Sequence, residues 1–351
     1  MRLIAPAPLM HFPQPFRLRW RERVLHFKRP AATSRGALTT RRSFVIEAIT
    51  AGGSGLGECC TMPGLLPEPT PAELDYWCSR VEAQQGLSGM TAPSPIQFGL
   101  ECALLAALRP GKPRWESPQS RIPIHHLIWM DSAENMLAAM QQGVDAGFCC
   151  LKLKVGALPF EEELALLHRA HAAFPSVEIR VDANGAFSPE DADYKLELLA
   201  AAGVSSIEQP IRPGQWKTMA RLCRTSPLPI ALDEELINQP DAAKLLDEVR
   251  PQGIVIKPSL HGGLLAAQDR AQEAEARGIR WWVNSALESH IGLTALAEWC
   301  AYAAPGVLQG LGTGLLFTDD APDCLHLKAG WLLRLINLVL LISLTNVISH
   351  I

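Results

Sequence analysis

Leu151-Lys152-Leu153-Lys154-Val155-Gly156 and, further on, Ile254-Val255-Ile256-Lys257-Pro258 bracket the part of the chain whose reading decides the fold. Between them, three short apolar runs end on an acid: Ile179-Arg180-Val181-Asp182-Ala183-Asn184, Ser206-Ile207-Glu208-Gln209-Pro210 and Ile230-Ala231-Leu232-Asp233-Glu234. Their spacing is nearly equal, and helical patterns such as Phe160 to Ala173 and Pro189 to Ala202 lie between strand candidates. β-like runs alternating with helices in this way read as βα units on a parallel sheet. Working outward adds a strand at Arg121 to Trp129 and two more near 280–285 and 307–312. Eight strands alternating with helices argue for an α/β protein with a (β/α)8-type barrel. A doubly wound open sheet is the structural alternative, but no glycine-rich phosphate fingerprint follows an early strand.

In a parallel barrel the C-terminal strand ends meet at one mouth. Asp182, Glu208 and Asp233 would leave the adjacent strands three, four and five there. Three such carboxylates can present oxygens to one hard cation, whose remaining octahedral positions go to water or substrate. A single acid at a strand end is ordinarily solvated or caps a helix; three at matched spacing make a candidate metal site. Glu234 and Glu235 read as outer-layer or surface groups. Lys152 and Lys154, two apart, share one side of their strand, a costly place for an amine that does nothing. Mutual repulsion and a nearby cation would lower an amine from about 10.4 toward the range a general base needs. Lys257 ends strand six, across the mouth from Lys154; the bland alternative is that the lysines only pair with the acids. Metal and lysine together suit removal of a proton α to a carboxylate, with the enediolate stabilised by the metal.

Before this core, Phe16 to Ile49 alternates as a β-meander does. Ala31 to Gly36 reads as a small mobile loop, Gly52 to Gly55 as a tight turn, and Gly57 to Leu65 as a second loop. Helices follow around Pro71 to Ala83 and Pro95 to Leu108, then a linker from Gly111 to Ser120. With 48% hydrophobic and 19% charged residues the chain has apolar surface for a large core and too little charge for disorder. A net charge of −4 gives no electrostatic case for nucleic acid or an anionic membrane. Nine cysteines without a C-x-x-C pair, and no convincing export signal, read as a reducing cytoplasm. The tail from Trp331 to Ile351 is apolar but interrupted by Arg334, Asn337 and Ser343. A membrane span wants about 20 mostly apolar residues, so a packed terminal helix or strand is the expectation.

As an ordered set, Lys152-x-Lys154, Asp182-x-Asn184, Glu208-Gln209-Pro210, Asp233-Glu234 and Lys257 resemble the enolase superfamily in its muconate-lactonising-enzyme-like branch. Ile256 to Gly263, Ser285 to Ser289, Gly57-Glu58-Cys59 with Pro63-Gly64-Leu65, and Thr313 to Asp319 narrow the likeness. They are similar to the members that dehydrate 2-succinyl-6-hydroxy-2,4-cyclohexadiene-1-carboxylate to o-succinylbenzoate in menaquinone biosynthesis. The resemblance covers roughly residues 12 to 330. It implies a modified (β/α)7β TIM-type barrel over 121–314, with an α+β capping domain over 1–120 completed by 315–351. It implies Mg²⁺, with Mn²⁺ as a substitute, held by Asp182, Glu208 and Asp233. Lys154 would take the α-proton, Lys257 would stay cationic beside the intermediate, and Lys152 would steady the substrate carboxylate.

The small carboxylate substrate is expected to rest its succinyl arm on Ser259, Gly262, Gly263 and Ser289, since bare backbone N–H groups and hydroxyls cradle a carboxylate. Asn184 would stand behind the lysine and Arg35 would close over the mouth. Two features depart from the family: His125-His126 in strand one, and the apolar tail. The rivals are an N-acylamino acid racemase, a dipeptide epimerase and a carboxylate- or metal-binding barrel without turnover. The epimerase wants an acid after strand eight, where this chain reads Gln309-Gly310-Leu311-Gly312-Thr313-Gly314. The non-catalytic barrel has no need of both lysine sets.

Overall fold

The computed structural model describes residues 1–33, 36–62, 64–117, 121–313, 316–318 and 325–334; Arg35 and the tail beyond Arg334 lie outside the described residues. After a short helix α1 (Ala7–Met10), the alternating segment forms an antiparallel meander of β1 (Phe16–Thr33), β2 (Gly36–Thr50) and β3 (Gly53–Cys59). Pairing of β1 with β2 runs on through Ala31↔Leu38 and Thr33↔Gly36. Of the open loop expected at Ala31–Gly36, Ala31, Ala32, Thr33 and Gly36 are therefore strand residues, and residues 34 and 35 lie outside the described residues.

Helix α2 (Pro71–Gln84) starts where the sequence says it must. Thr70 and Glu73 form a reciprocal capping box, with proline at the first position. Helix α3 (Ser94–Ala107) is buried on nearly every side, as a helix sandwiched between two layers has to be. It lies directly on β3, and glycines make this possible. A Cβ on Gly57 would sit 1.9 Å from the Gly99 carbonyl oxygen, and one on Gly55 2.2 Å from the Ala107 nitrogen.

A short strand β4 (Arg121–Pro123) leads into the barrel. Its parallel strands follow in chain order: β5 (His126–Ile128), β6 (Cys150–Lys154), β7 (Glu178–Asp182), β8 (Ser206–Glu208), β9 (Ile230–Leu232), β10 (Gly253–Ile256) and β11 (Arg280–Val283). The intervening helices are α4 (Ala133–Asp145), α5 (Phe160–Ala173), α6 (Ala192–Ala201), α7 (Trp216–Thr225), α8 (Ala242–Val249), α9 (Gly263–Ala276) and α10 (His290–Ala303). A minimal eighth strand closes the circle: Gln309 bridges Ile124 and Gly310 bridges Asn284. No helix follows it among the described residues. The fold is thus a modified (β/α)7β barrel under an α+β cap. Within the expected return segment, Phe317 bridges Phe27 of β1. By contrast β12 (Leu325–Lys328) pairs with β13 (Trp331–Arg334), and β13 in turn pairs with β4. Trp331–Arg334, the start of the apolar tail, is a strand. No helix among the described residues is long and apolar enough to cross a membrane.

Two carboxylates from the cap segment fasten it to the barrel. Glu58, ending β3, accepts hydrogen bonds from Ser289 N at 3.0 Å, Ser289 Oγ at 2.7 Å and Gly292 N at 2.9 Å, at the start of α10. Glu101, on α3, accepts from Leu264 N at 2.5 Å and Leu265 N at 3.2 Å, at the start of α9. Each anion meets otherwise orphaned N–H groups and the positive end of a helix dipole.

Burial pushes the Glu101 carboxyl from its ordinary 4.5 up to about 7, against the opposing pull of its hydrogen bonds from Gln97, Leu265 and Leu264. Between those values the native chain holds a proton that the unfolded chain has released. Stability is therefore greatest below the window and falls as pH rises through it. Denaturant titrations from about pH 5 to 7.5 should show the wild type losing about 2 kcal/mol more than Glu101→Gln. Parallel pH profiles for the two proteins would refute the assignment.

Candidate active site

Strand register brings the acids level. Lys154 pairs with Asp182 and Asp182 with Glu208; Glu208 pairs with Ala231, so Asp233 follows just past the end of β9. All three carboxylates are buried, and one oxygen from each lies within 4.8 Å of the others. Glu208 Oε1 and Asp233 Oδ1 have no hydrogen-bond partner among the described residues. Buried anionic oxygens without donors are expensive, and a set of three hard oxygens facing one point fits a divalent cation. The triad could hold a metal.

The lysines surround it. Lys152 Nζ lies 2.5 Å from Glu208 Oε2 and 3.0 Å from Asp182 Oδ2. Lys154 Nζ donates to Asp182 Oδ2 at 2.6 Å and to Asn184 Oδ1 at 2.9 Å. Lys257 Nζ donates to Asp233 Oδ2 from the far side. Burial would lower Lys152 and Lys257, but Asp182 and Glu208 lift the first, and Asp233 and Glu234 the second, above the ordinary lysine value. Each of these two amines is bonded directly to a carboxylate, which favours its charged form. Burial would raise Asp182 too, yet Lys152 and Lys154 hold it well below the carboxylate range. Burial and the Asp182 charge push Glu208 well above it, opposed by Lys152.

Amide side chains fix the acids in place. Gln209 Oε1 accepts from Asp233 N at 3.1 Å and Glu235 N at 3.3 Å. Asn184 Nδ2 donates to Glu234 Oε1 at 2.9 Å. Neither Glu234 nor Glu235 is on the surface: the first lines the pocket, and the second accepts from Trp216 Nε1 at 2.7 Å and Gly214 N at 2.8 Å.

The mouth encloses a pocket of about 90 Å³ reached by Lys152, Lys154, Lys257 and Asn184 from the barrel and by Met62 and Leu65 from the cap. A larger hollow of about 350 Å³ lies at the opposite strand ends, between Arg180 and Trp282. It holds none of the clustered acids or amines, so the smaller pocket is the candidate site. Ser259, Gly262, Gly263 and Ser289 do not line it. Ser259 Oγ donates to Glu288 Oε1 at 2.6 Å, and the Ser289 hydroxyl is bound to Glu58. Gly262 and Gly263 both adopt positive φ, with the Glu101 carboxylate where a Gly263 side chain would begin. Both serine hydroxyls expected to cradle a substrate carboxylate are therefore taken up by the protein's own carboxylates.

His125 and Asn284 are pocket residues that sequence reasoning underrated or missed. His125 was separable from His126 by strand alternation: the first lines the pocket, while the ring of the second lies 4.7 Å from that of Phe148. Asn284 carried no signal beyond its place at the end of strand seven.

A family model described as Enolase C-terminal domain-like matches residues 135–320. The o-succinylbenzoate synthase of Desulfotalea psychrophila is 40% identical over 90% of this chain and 98% of its own. The crystal structure of MenC from Desulfotalea psychrophila LSv54 superposes with a TM-score of 0.78 at 36% identity, over 91% of this chain and 100% of that one. The substrate-liganded L-Ala-D/L-Glu epimerase of Bacillus subtilis gives a TM-score of 0.82 at 20% identity, over 92% and 96%, a likeness of fold alone.

Binding of a cation to the native triad should stabilise the fold by about 2.7 kcal/mol at a hundred times the dissociation constant. Calorimetric scans with added MgCl2 should therefore raise the Tm of the wild type and leave that of Glu208→Gln unmoved. Equal shifts for both would remove the triad as the binding site.

Proposed function

The chain belongs to the o-succinylbenzoate synthase family of the enolase superfamily, and from that premise we propose that it dehydrates 2-succinyl-6-hydroxy-2,4-cyclohexadiene-1-carboxylate to o-succinylbenzoate. The observation that carries the reading is the convergence of a buried acid triad with amines on both flanks of one pocket. We place the reaction in menaquinone biosynthesis in the cytoplasm. Asp182, Glu208 and Asp233 would hold Mg²⁺, or Mn²⁺ in its place. When bound, the cation supplies a Lewis acid for the substrate's ring carboxylate and offsets the negative charge that grows as the α-proton leaves.

Lys154 is the base: Asn184 Oδ1 orients its Nζ, and its side chain is 17% exposed where that of Lys152 is 6% exposed. It takes the proton from the carbon bearing the carboxylate. As the ammonium it returns that proton to the departing hydroxyl, so water leaves and the ring becomes aromatic. Lys257, kept cationic by Asp233 and Glu234, faces the opposite side of the ring and stabilises the anionic intermediate by its charge. Lys152, tied to two acids, keeps them aligned. The opposed lysines would also serve proton exchange on N-acylamino acids. The described residues after the eighth strand, Leu311 to Thr313, include no acid to grip a free amino group.

With Mg²⁺ and the cyclohexadiene acid the purified protein should gain aromatic absorbance. Lys154→Ala should slow turnover by about 10²–10⁴-fold, and chelation should abolish it until metal is restored. Turnover of N-succinyl amino acids with none of the cyclohexadiene acid would replace this reading with racemisation.

A further inference from the structure

The mouth is divided among its strands. The acids occupy the arc of β7, β8 and β9, while Lys154 on β6 and Lys257 after β10 mark its two edges. The remaining arc consists of β11, the eighth strand and β5. Its polar pocket-lining side chains include Asn284, Thr313 and His125. Asn284 is already committed: with its amide oxygen toward Lys152 it accepts at 3.1 Å, and its nitrogen donates to Val283 O at 3.3 Å. Gly310 leaves room for this arrangement, since a Cβ there would come 1.9 Å from the Asn284 amide and 2.9 Å from His125 Cε1.

The other two are not committed. His125 is 4% exposed and Thr313 5%, and neither His125 Nδ1 nor Thr313 Oγ1 has a hydrogen-bond partner among the described residues. Two polar atoms that are buried, unpartnered and on the wall of one pocket are costly unless a ligand completes them. Burial and the Lys152 ammonium keep the imidazole neutral, so it can donate one hydrogen bond without adding charge beside the lysines.

We propose that His125 and Thr313 form the subsite for the oxygen-bearing side arm of the substrate, the succinyl group if the dehydration proposed above holds. Placing the ring carboxylate at the acids and the reacting carbon between Lys154 and Lys257 turns the adjacent substituent away from the acids, into the arc of β11, the eighth strand and β5. There the imidazole N–H and the threonine hydroxyl donate to the arm's oxygens. The turn at Ser259–Gly263 does not compete for the arm: its serine hydroxyl already serves Glu288, and Ser259, Gly262 and Gly263 do not line the pocket.

The test compares two ligands by calorimetry in the presence of Mg²⁺: o-succinylbenzoate, and 2-methylbenzoate, which keeps the ring carboxylate but has no arm oxygens. The isosteric Thr313→Val and the shape-preserving His125→Phe should each weaken o-succinylbenzoate roughly tenfold, leave 2-methylbenzoate unchanged, and raise KM more than they lower kcat. His125→Asn, which restores a donor, should recover part of the loss. Unchanged affinity in Thr313→Val, or an equal loss for both ligands, overturns the subsite. Turnover by the wild type with unaltered binding in the variants sinks the subsite alone. Arm-dependent binding without turnover sinks the dehydration and leaves the subsite standing. No binding of o-succinylbenzoate by the wild type overturns both.

Discussion

Three carboxylates forced together in a buried mouth set the terms for everything around them. At the 4.8 Å separation within which their oxygens gather, each pair of like charges repels by roughly 3–4 kcal/mol at an effective dielectric of about 20. The fold meets that cost with three lysine side chains set directly against the acids. Lys152 is shared by Asp182 and Glu208, Lys154 is on Asp182 and Lys257 on Asp233. The same crowding produces the opposed shifts of neighbouring acids, Asp182 down and Glu208 up. Two of the triad's oxygens remain without donors among the described residues, so the mouth could take a cation.

The pocket's shape, by contrast, is a property of the contact between cap and barrel. Its cap wall includes Met62 and Leu65, and its barrel wall Ser285 and Leu287. Buried charged groups pin the two walls together. Arg41 of β2 donates to Thr61 O at 2.5 Å and to Ala286 O, while Glu58 holds Ser289. Glu288 gathers Ser259 Oγ, Ser285 Oγ and Ala286 N. Buried ions of this kind need hydrogen bonds to offset their desolvation; Glu58 and Glu288 receive them on both oxygens and Arg41 makes them through both terminal nitrogens, just behind the pocket walls.

That division explains what the sequence revealed. The barrel was legible because strand and helix periods are local, and the triad because each acid ends its own apolar run at matched spacing. Side-chain alternation alone put Lys152 and Lys154 together. The filling of the Gly262–Gly263 turn was not legible, since Glu101 arrives from a helix in another part of the chain and no local pattern records it. The same is true of Ser289, whose hydroxyl looks free until Glu58 is placed beside it. His125 and Thr313 belong to opposite ends of the barrel sequence and become neighbours only when the eighth strand closes on the first. Glu234 and Glu235 looked peripheral because alternation was carried past β9, where the chain in fact turns into a short 3-10 segment.

Backbone strain at the strand ends completes the account. Asn184 and Gln209 follow Asp182 and Glu208 by two residues and one, and both hold positive φ, at 44° and 42°. Such conformations cost a side-chain-bearing residue of the order of 1 kcal/mol or more, and persist only where surroundings overdetermine them. Both residues are amides, and both spend their side chains across the mouth, Asn184 on Lys154 and Glu234, Gln209 on the backbone of Asp233 and Glu235. A glycine would relieve the φ strain at either position and lose those bonds. A longer or branched apolar side chain would keep the strain and lose them as well. The amide is the residue type that turns the chain sharply after each acid and still ties that acid to the next strand, which is how neighbouring carboxylates are kept from drifting apart under their own repulsion.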